Sequence, residues 1–174
     1  ATPEETRQAL TWCVETAHES CALRLVIGPS PRPIVLPSGY QLTYGRGVKL
    51  TTGTHALLFA YGPVMLAEAL IAAELLATRG REVAVVNLPW LNRIDADWLA
   101  ETVAPYEHLY VVDDHALTGG LGTHLLTSLA THNLLTGRSL VQLGIEGWPA
   151  CGTPAEVLQF HGLDGAGLAK RMAG

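Results

Sequence analysis

Asp113, Asp114 and His115 stand side by side at the end of the apolar run Leu109 to Val112, and Gly119, Gly120 and Gly122 follow within a few residues. Carboxylates and imidazoles hold metal ions or exchange protons, and a glycine-rich turn before a helix lets a backbone approach an anion. Spacing weakens both possibilities. Adjacent side chains at a strand end diverge, so these three polar groups do not converge on one ion. The glycines miss the G-x-G-x-x-G spacing of a dinucleotide turn, and the two acids ahead of them repel a pyrophosphate. At the carboxyl end of a strand in an α/β sheet, such a stretch serves a ligand or a partner. Polar residues at a subunit interface account for it better than a metal site.

The other candidates are thinner. His124 and His132 lie two helical turns apart, too far to share a ligand. Asp95 and Asp97 beside Trp98 suit helix capping better than acid/base chemistry. Gly62-Pro63 is a strand-to-helix turn that could receive an anion, but a plain tight turn explains it. There is no G-x-S-x-G nucleophile elbow. Cys13, Cys21 and Cys151 form no C-x-x-C pair and read as reduced thiols.

A formal charge of −5 and the lack of any basic run argue against a nucleic-acid or membrane surface. Only 16 % of residues are charged while 48 % are hydrophobic, which suggests that much of the surface meets other protein. The 174 residues suit one domain, with or without an appendage. No signal-peptide pattern or membrane-length apolar run is present, and a cytoplasmic location is the expectation. The missing initiator Met and polar opening lead to the further expectation of a piece of a longer chain.

The elements that must carry these residues follow from periodicity. Thr2, Pro3 and Glu5 open a helix over Pro3 to Glu19 with an apolar stripe at Leu10, Cys13, Val14 and Ala17, and Cys21 to Ile27 reads as a strand. Together they form one layer without partners enough for a core. Pro29, Pro31, Pro33 and Pro37 then favour an extended path, so residues 29–47 are expected to be an interdomain linker in preference to a surface loop. From Val48 strands and helices alternate: strands at 48–51, 55–61, 82–88, 109–112 and 140–145, helices at 62–78, 95–104, 122–133, 154–161 and 165–172. The helix Val64 to Ala77 is apolar nearly all round and must be covered on more than one side. The pattern predicts an α/β fold, a three-layer αβα arrangement on a five-stranded, mainly parallel (mixed) sheet.

The order of motifs resembles a known family. Thr54-His55-Ala56-Leu57-Leu58-Phe59-Ala60-Tyr61-Gly62 and the helix after it, with Glu68 and Glu74, resemble the opening of the transketolase carboxyl-terminal domain. Val83 to Asn87, Asn92-Arg93-Ile94-Asp95, and Val111-Val112-Asp113-Asp114-His115 with Gly119-Gly120-Leu121-Gly122 continue the series. Gly144-Ile145, Cys151-Gly152 and Gly162-Leu163-Asp164 complete it. The family includes transketolases, 1-deoxyxylulose-5-phosphate synthases and 2-oxoacid dehydrogenase β subunits.

The resemblance implies that residues 1–28 are the terminal helix and strand of a pyrimidine-binding domain, 29–47 the linker, and 48–174 the carboxyl-terminal domain. Thiamine diphosphate and Mg2+ sit between the pyrophosphate and pyrimidine domains in the family, so this chain alone is expected to bind neither. Those domains are the implied partners, in the same chain or a separate subunit, within a homo-oligomer. No catalytic residue is expected in this chain. Asp113, Asp114, His115, Gly119, Gly120, Gly122 and Arg24 are the candidates for interdomain contact or a substrate mouth. Ile27 stands where sugar-phosphate enzymes of the family carry an arginine, which puts a phosphorylated substrate in doubt. The rival expectation is a free-standing α/β module that recognises a small anion.

Overall fold

The computed structural model describes residues 1–28 and 30–173. Pro29, the first residue of the expected linker, and Gly174, the last of the chain, lie outside the described residues. Among the described residues six helices, α1 (Pro3–Glu15), α2 (Gly62–Ala77), α3 (Ala96–Val103), α4 (Leu121–Thr131), α5 (Pro154–His161) and α6 (Gly165–Ala173), accompany five strands. The strands β1 (Val48–Lys49), β2 (Ala56–Ala60), β3 (Val83–Asn87), β4 (His108–Ala116) and β5 (Ser139–Ile145) form one sheet in the order β1-β3-β2-β4-β5. β1 runs antiparallel to β3 and the other pairs are parallel, which makes the sheet mixed and mainly parallel as expected.

Every residue of β2 and β3 is buried, because helices cover both sides. Alternation along β2 sends Leu58 and Ala60 towards α2 and α6, and Leu57 and Phe59 towards α3 and α4. The helix expected to be covered on several sides is α2. It packs on the sheet and against α6, where a Cβ on Gly165 would lie 2.3 Å from Ile71 Cγ2. Both acids on α2 are used: Glu68 accepts the Gly165 N–H at 2.6 Å and so caps α6, and Glu74 meets Arg32 at 3.0 Å.

Four expectations need correction. α1 ends at Glu15, not Glu19, and its stripe stays open to solvent, with Leu10 and Val14 54 % and 75 % exposed. Thr2 caps the Glu5 N–H at 3.1 Å, but the buried Glu5 carboxylate turns to Tyr40 and Asn87, so Thr2 and Glu5 do not make a simple capping pair. The strand expected over Cys21 to Ile27 is not formed. That segment has no ladder, because all five strands of the sheet come from later in the chain and Leu25 and Ile27 face solvent. The fourth strand runs four residues past Val112, so Asp113, Asp114 and His115 lie within β4 and not beyond it.

Residues 30–47 cling to the domain. Ile34 enters the core, Gln8 Oε1 accepts the Leu42 N–H at 2.6 Å, and Trp90 Nε1 donates to Thr43 O at 2.7 Å. Trp12 stacks on Tyr44 at 5.1 Å between ring centroids, and Trp90 meets both rings edge-on.

Candidate functional site

Connectivity alone marks one place in this sheet. From β2 the chain passes through α2 to β3 on one side, and from β3 through α3 to β4 on the other side of β2. The helices that follow β2 and β4 cover opposite faces. The strand order therefore reverses between β2 and β4, and the crevice outside their carboxyl ends is where open α/β sheets place ligands. Tyr61 leaves β2 there, and Asp113, Asp114 and His115 leave the paired part of β4.

A bulge aims the polar side chains. Val112 pairs with Leu143 and Ala116 with Ile145, so β4 uses two more residues than β5 over that span. The surplus is accommodated at Asp113 to His115, and Gly144 gives it room: a Cβ there would lie 2.9 Å from His115 O. The displaced ladder turns the Asp113 carboxylate inward, under the amino end of α4.

Asp113 is 1 % exposed. One carboxylate oxygen accepts the Leu121 N–H at 2.9 Å and the Tyr61 hydroxyl at 3.0 Å, and the other accepts the Gly122 N–H at 3.0 Å. The residue at the cap position of α4 is Gly120, which has no side chain to offer. A carboxylate from the neighbouring strand thus replaces the missing cap and brings a negative charge to the positive end of the helix. Gly120 is what permits the approach, because a Cβ on it would lie 2.8 Å from Asp113 Cγ.

Around this buried acid lies a shallower polar layer. Arg24 forks Asp114, donating from Nη1 at 2.8 Å and from Nη2 at 3.0 Å, and the bond to Asp114 raises the Arg24 pKa above its ordinary value. The two side chains are 57 % and 27 % exposed, so the pair orients more than it stabilises, contributing at most about 1 kcal/mol. Burial, and then the nearby charges of Asp113 and Asp114, push the Tyr61 hydroxyl well above the ordinary phenol range, so it remains a donor. His115 Nδ1 lies 3.0 Å from Ala116 O and must carry a proton to bond it, which leaves Nε2 free at the surface. Gly119 adopts φ +84°, and its N–H donates to Thr123 Oγ1 at 3.0 Å, fixing the turn. A depression of about 220 Å³ opens above these groups, walled by Arg24, Tyr61, Leu91, His115, Leu121 and the Gly119-Gly120 turn.

This arrangement is built for position more than for reaction. Asp113 already accepts three donors and is buried, so its carboxylate is not presented to solvent. The amino end of α4 already holds an anion. Among the described residues, no three His, Cys, Asp or Glu side chains group as metal ligands. The structure brings Asp113, Asp114, Arg24, Gly119 and Gly120 together with His115 at the rim. Gly122 lies deeper, and a Cβ there would meet Gln142 Oε1 at 2.7 Å. His124 on α4 and His132 at its carboxyl cap are exposed and stand apart, as their separation implied.

Asp113 lies beneath the surface, with its buried carboxylate spent on Tyr61, Leu121 and Gly122 of this chain. It supports the surface from beneath. Tyr61 is the participant that sequence spacing did not single out. Only the register of β2 beside β4 brings it to Asp113, and that needs the strand order. A second polar cluster was also missed. The Tyr40 hydroxyl donates to Glu5 at 2.9 Å, Asn87 Nδ2 donates to the same carboxylate, and Asn87 Oδ1 has no partner among the described residues. It joins α1, the 30–47 stretch and β3, and no local spacing announces it.

The family described as transketolase, C-terminal domain, matches residues 45–168. A 1-deoxy-D-xylulose-5-phosphate synthase of Acidovorax sp. (strain JS42) is 32 % identical over 169 residues, which is 97 % of this chain and 25 % of that protein. The Pseudomonas syringae pv. syringae synthase is 30 % identical over 148 residues, 84 % of this chain and 22 % of that one. The chain thus spans about a quarter of the length of the curated relatives it matches. Among solved structures, a split-gene transketolase described as an inactive β4 tetramer superposes with a TM-score of 0.72 at 26 % identity, over 81 % of this chain and 45 % of that one. A transketolase mutant from Pichia stipitis shares the fold, with a TM-score of 0.54 at 17 % identity over 73 % of this chain and 17 % of that one. The family match spans most of the chain and the five-stranded mixed sheet agrees with it, so the chain belongs to the transketolase C-terminal domain family.

Proposed function

We propose that this chain is the carboxyl-terminal portion of a thiamine-diphosphate-dependent transketolase-like enzyme, which transfers a carbon unit from a ketose or 2-oxo acid. Its part in that enzyme is assembly and interdomain contact. The observation that carries this is the reach of the likeness: the Acidovorax synthase matches 97 % of the chain, including residues before the family domain begins at 45. Residues 1–28 are then the tail of a pyrimidine-binding domain and 29–47 the linker. The exposed stripe of α1 and the unpaired Cys21 to Ile27 segment are surfaces for the rest of that domain. The fork of Arg24 on Asp114 is the tie between that tail and the β4 edge.

The residues present do not fit thiamine diphosphate or Mg2+. The glycine turn that opens α4 is closed by Asp113, and among the described residues no three His, Cys, Asp or Glu side chains group as metal ligands. The same closure counts against the rival reading as a free-standing module for a small anion. The cofactor belongs to the remaining domains, within the same longer chain or a separate subunit of a homo-oligomer.

Isothermal titration of the purified chain with thiamine diphosphate and Mg2+ is expected to show no tight binding. Tight binding by the chain alone overturns the assignment. The intact mass of the native protein separates the two forms of partnership: a mass several times that of this chain places the other domains in the same polypeptide.

A further inference from the structure

The sheet has two edges, and they are treated differently. β1 is two residues long and carries Lys49, the short and charged construction that blunts an edge. β5 runs for seven residues, Ser-Leu-Val-Gln-Leu-Gly-Ile, without a charge or a proline. Among the described residues β5 pairs only with β4. Val141 on β5 and Leu126 on the adjoining α4 are 40 % and 39 % exposed.

The hydrogen-bond phase of β5 is fixed. The Ser139 N–H donates to Glu107 O at 2.9 Å, so the odd-numbered residues direct their backbone groups to β4. Leu140, Gln142 and Gly144 therefore direct theirs outward. From this phase we infer that β5 is a self-pairing edge whose partner is β5 of a second copy of this chain, antiparallel and centred on Gln142.

The strand is complementary to itself about that residue. A two-fold axis at Gln142 sets Leu140 against Gly144 and Gln142 against its own copy, so every outward-facing N–H and C=O meets one of the opposite kind. The residues that flank the strand continue the match. Arg138 falls opposite Glu146, which also meets Arg171 of its own chain at 3.2 Å, so each end of the paired strands sets unlike charges near one another. Arg138 is held by the carbonyls of Ala104, Tyr106 and Leu134, which keeps its charge at the strand's amino end. The pairing joins two five-stranded sheets into one of ten strands and covers Val141. It involves neither the Arg24–Asp114 surface nor α1, so it stands or falls apart from the enzyme assignment.

The test has two arms. Sedimentation of the chain over a range of concentrations is expected to show a reversible dimer, and Val141→Lys, at an exposed position, is expected to abolish it with the circular dichroism unchanged. In a background with Cys13, Cys21 and Cys151 replaced by Ser, Gln142→Cys is expected to form an intermolecular disulfide on mild oxidation. Directly opposed residues in such a pair lie about 5.5 Å apart between Cα atoms, within disulfide reach. Ser139→Cys, far from its own copy in this register, is expected not to cross-link. A chain that stays monomeric at every concentration overturns the inference. So does a dimer that tolerates Val141→Lys or cross-links through Ser139→Cys in preference to Gln142→Cys.

Discussion

Replacing Asp113 with alanine is expected to destabilise the fold by about 3 kcal/mol, by leaving polar groups without their partners. The loss has three parts. The Leu121 and Gly122 N–H groups are orphaned at a buried helix end, and the Tyr61 hydroxyl loses its nearer acceptor. Removing a cap alone costs about 1 kcal/mol, and each unsatisfied buried donor a further 1–3 kcal/mol or so. Two effects reduce the sum. A buried carboxylate is itself poorly solvated, and Tyr61 can turn towards Asp114, whose Oδ1 lies 3.3 Å away. In a chain of this size the result is a fall of roughly 6–12 °C in Tm. Urea denaturation followed by circular dichroism measures it. Asp114→Ala supplies the contrast: its carboxylate is part-exposed and paired only with Arg24 and the Tyr61 fringe, so its loss is expected to stay near or below about 1 kcal/mol. Equal effects at the two positions would show that Asp113 is not the structural acid.

How far this arrangement is legible in the sequence depends on the range of the interaction. The alternation of strands and helices, the parallel sheet and the covered α2 follow from apolar runs such as Ala56 to Ala60 and Val83 to Asn87, because burial on both faces requires continuous apolar strands. Local caps are equally visible: Asp95 accepts the Trp98 N–H at 2.8 Å, and this bond holds its carboxyl below the usual range. Long-range pairing is not visible. Asp113 and Tyr61 are 52 residues apart and meet only because β2 and β4 are neighbours. The inward turn of Asp113 depends on a bulge, and a bulge is a mismatch between two strands that neither strand shows alone. The unpaired Cys21 to Ile27 segment has the composition of a strand and lacks one for a physical reason. Strand propensity describes how well residues fit a half-buried ladder, and no ladder is within reach.

Gly120→Val is expected to be more damaging than Gly119→Val's smaller counterpart, Gly119→Ala, for reasons of space and not of backbone freedom. Gly119 occupies φ +84° with nothing within 4 Å of a built Cβ, so alanine there costs about 1 kcal/mol of conformational strain. Gly120 has φ −84°, which any residue adopts, but its Cβ would sit 2.8 Å from both Cγ and Oδ1 of Asp113 and 2.9 Å from Oδ2. Ordinary contacts between such atoms begin near 3.5 Å or so. The carboxylate cannot retreat without giving up its bonds to Leu121 and Gly122. Alanine at 120 therefore costs about 2 kcal/mol and valine about 3 kcal/mol or more, in the range of overpacked cores. The glycine's first duty is then inside this chain, and any loss of assembly in Gly120→Val follows from loosening the start of α4. A double-mutant cycle decides the mechanism. If the clash with Asp113 is the cause, Gly120→Ala in an Asp113→Ala background loses most of its penalty, with a coupling of about 1 kcal/mol or more. Additive effects would mean that the glycine answers to something other than the acid beneath it.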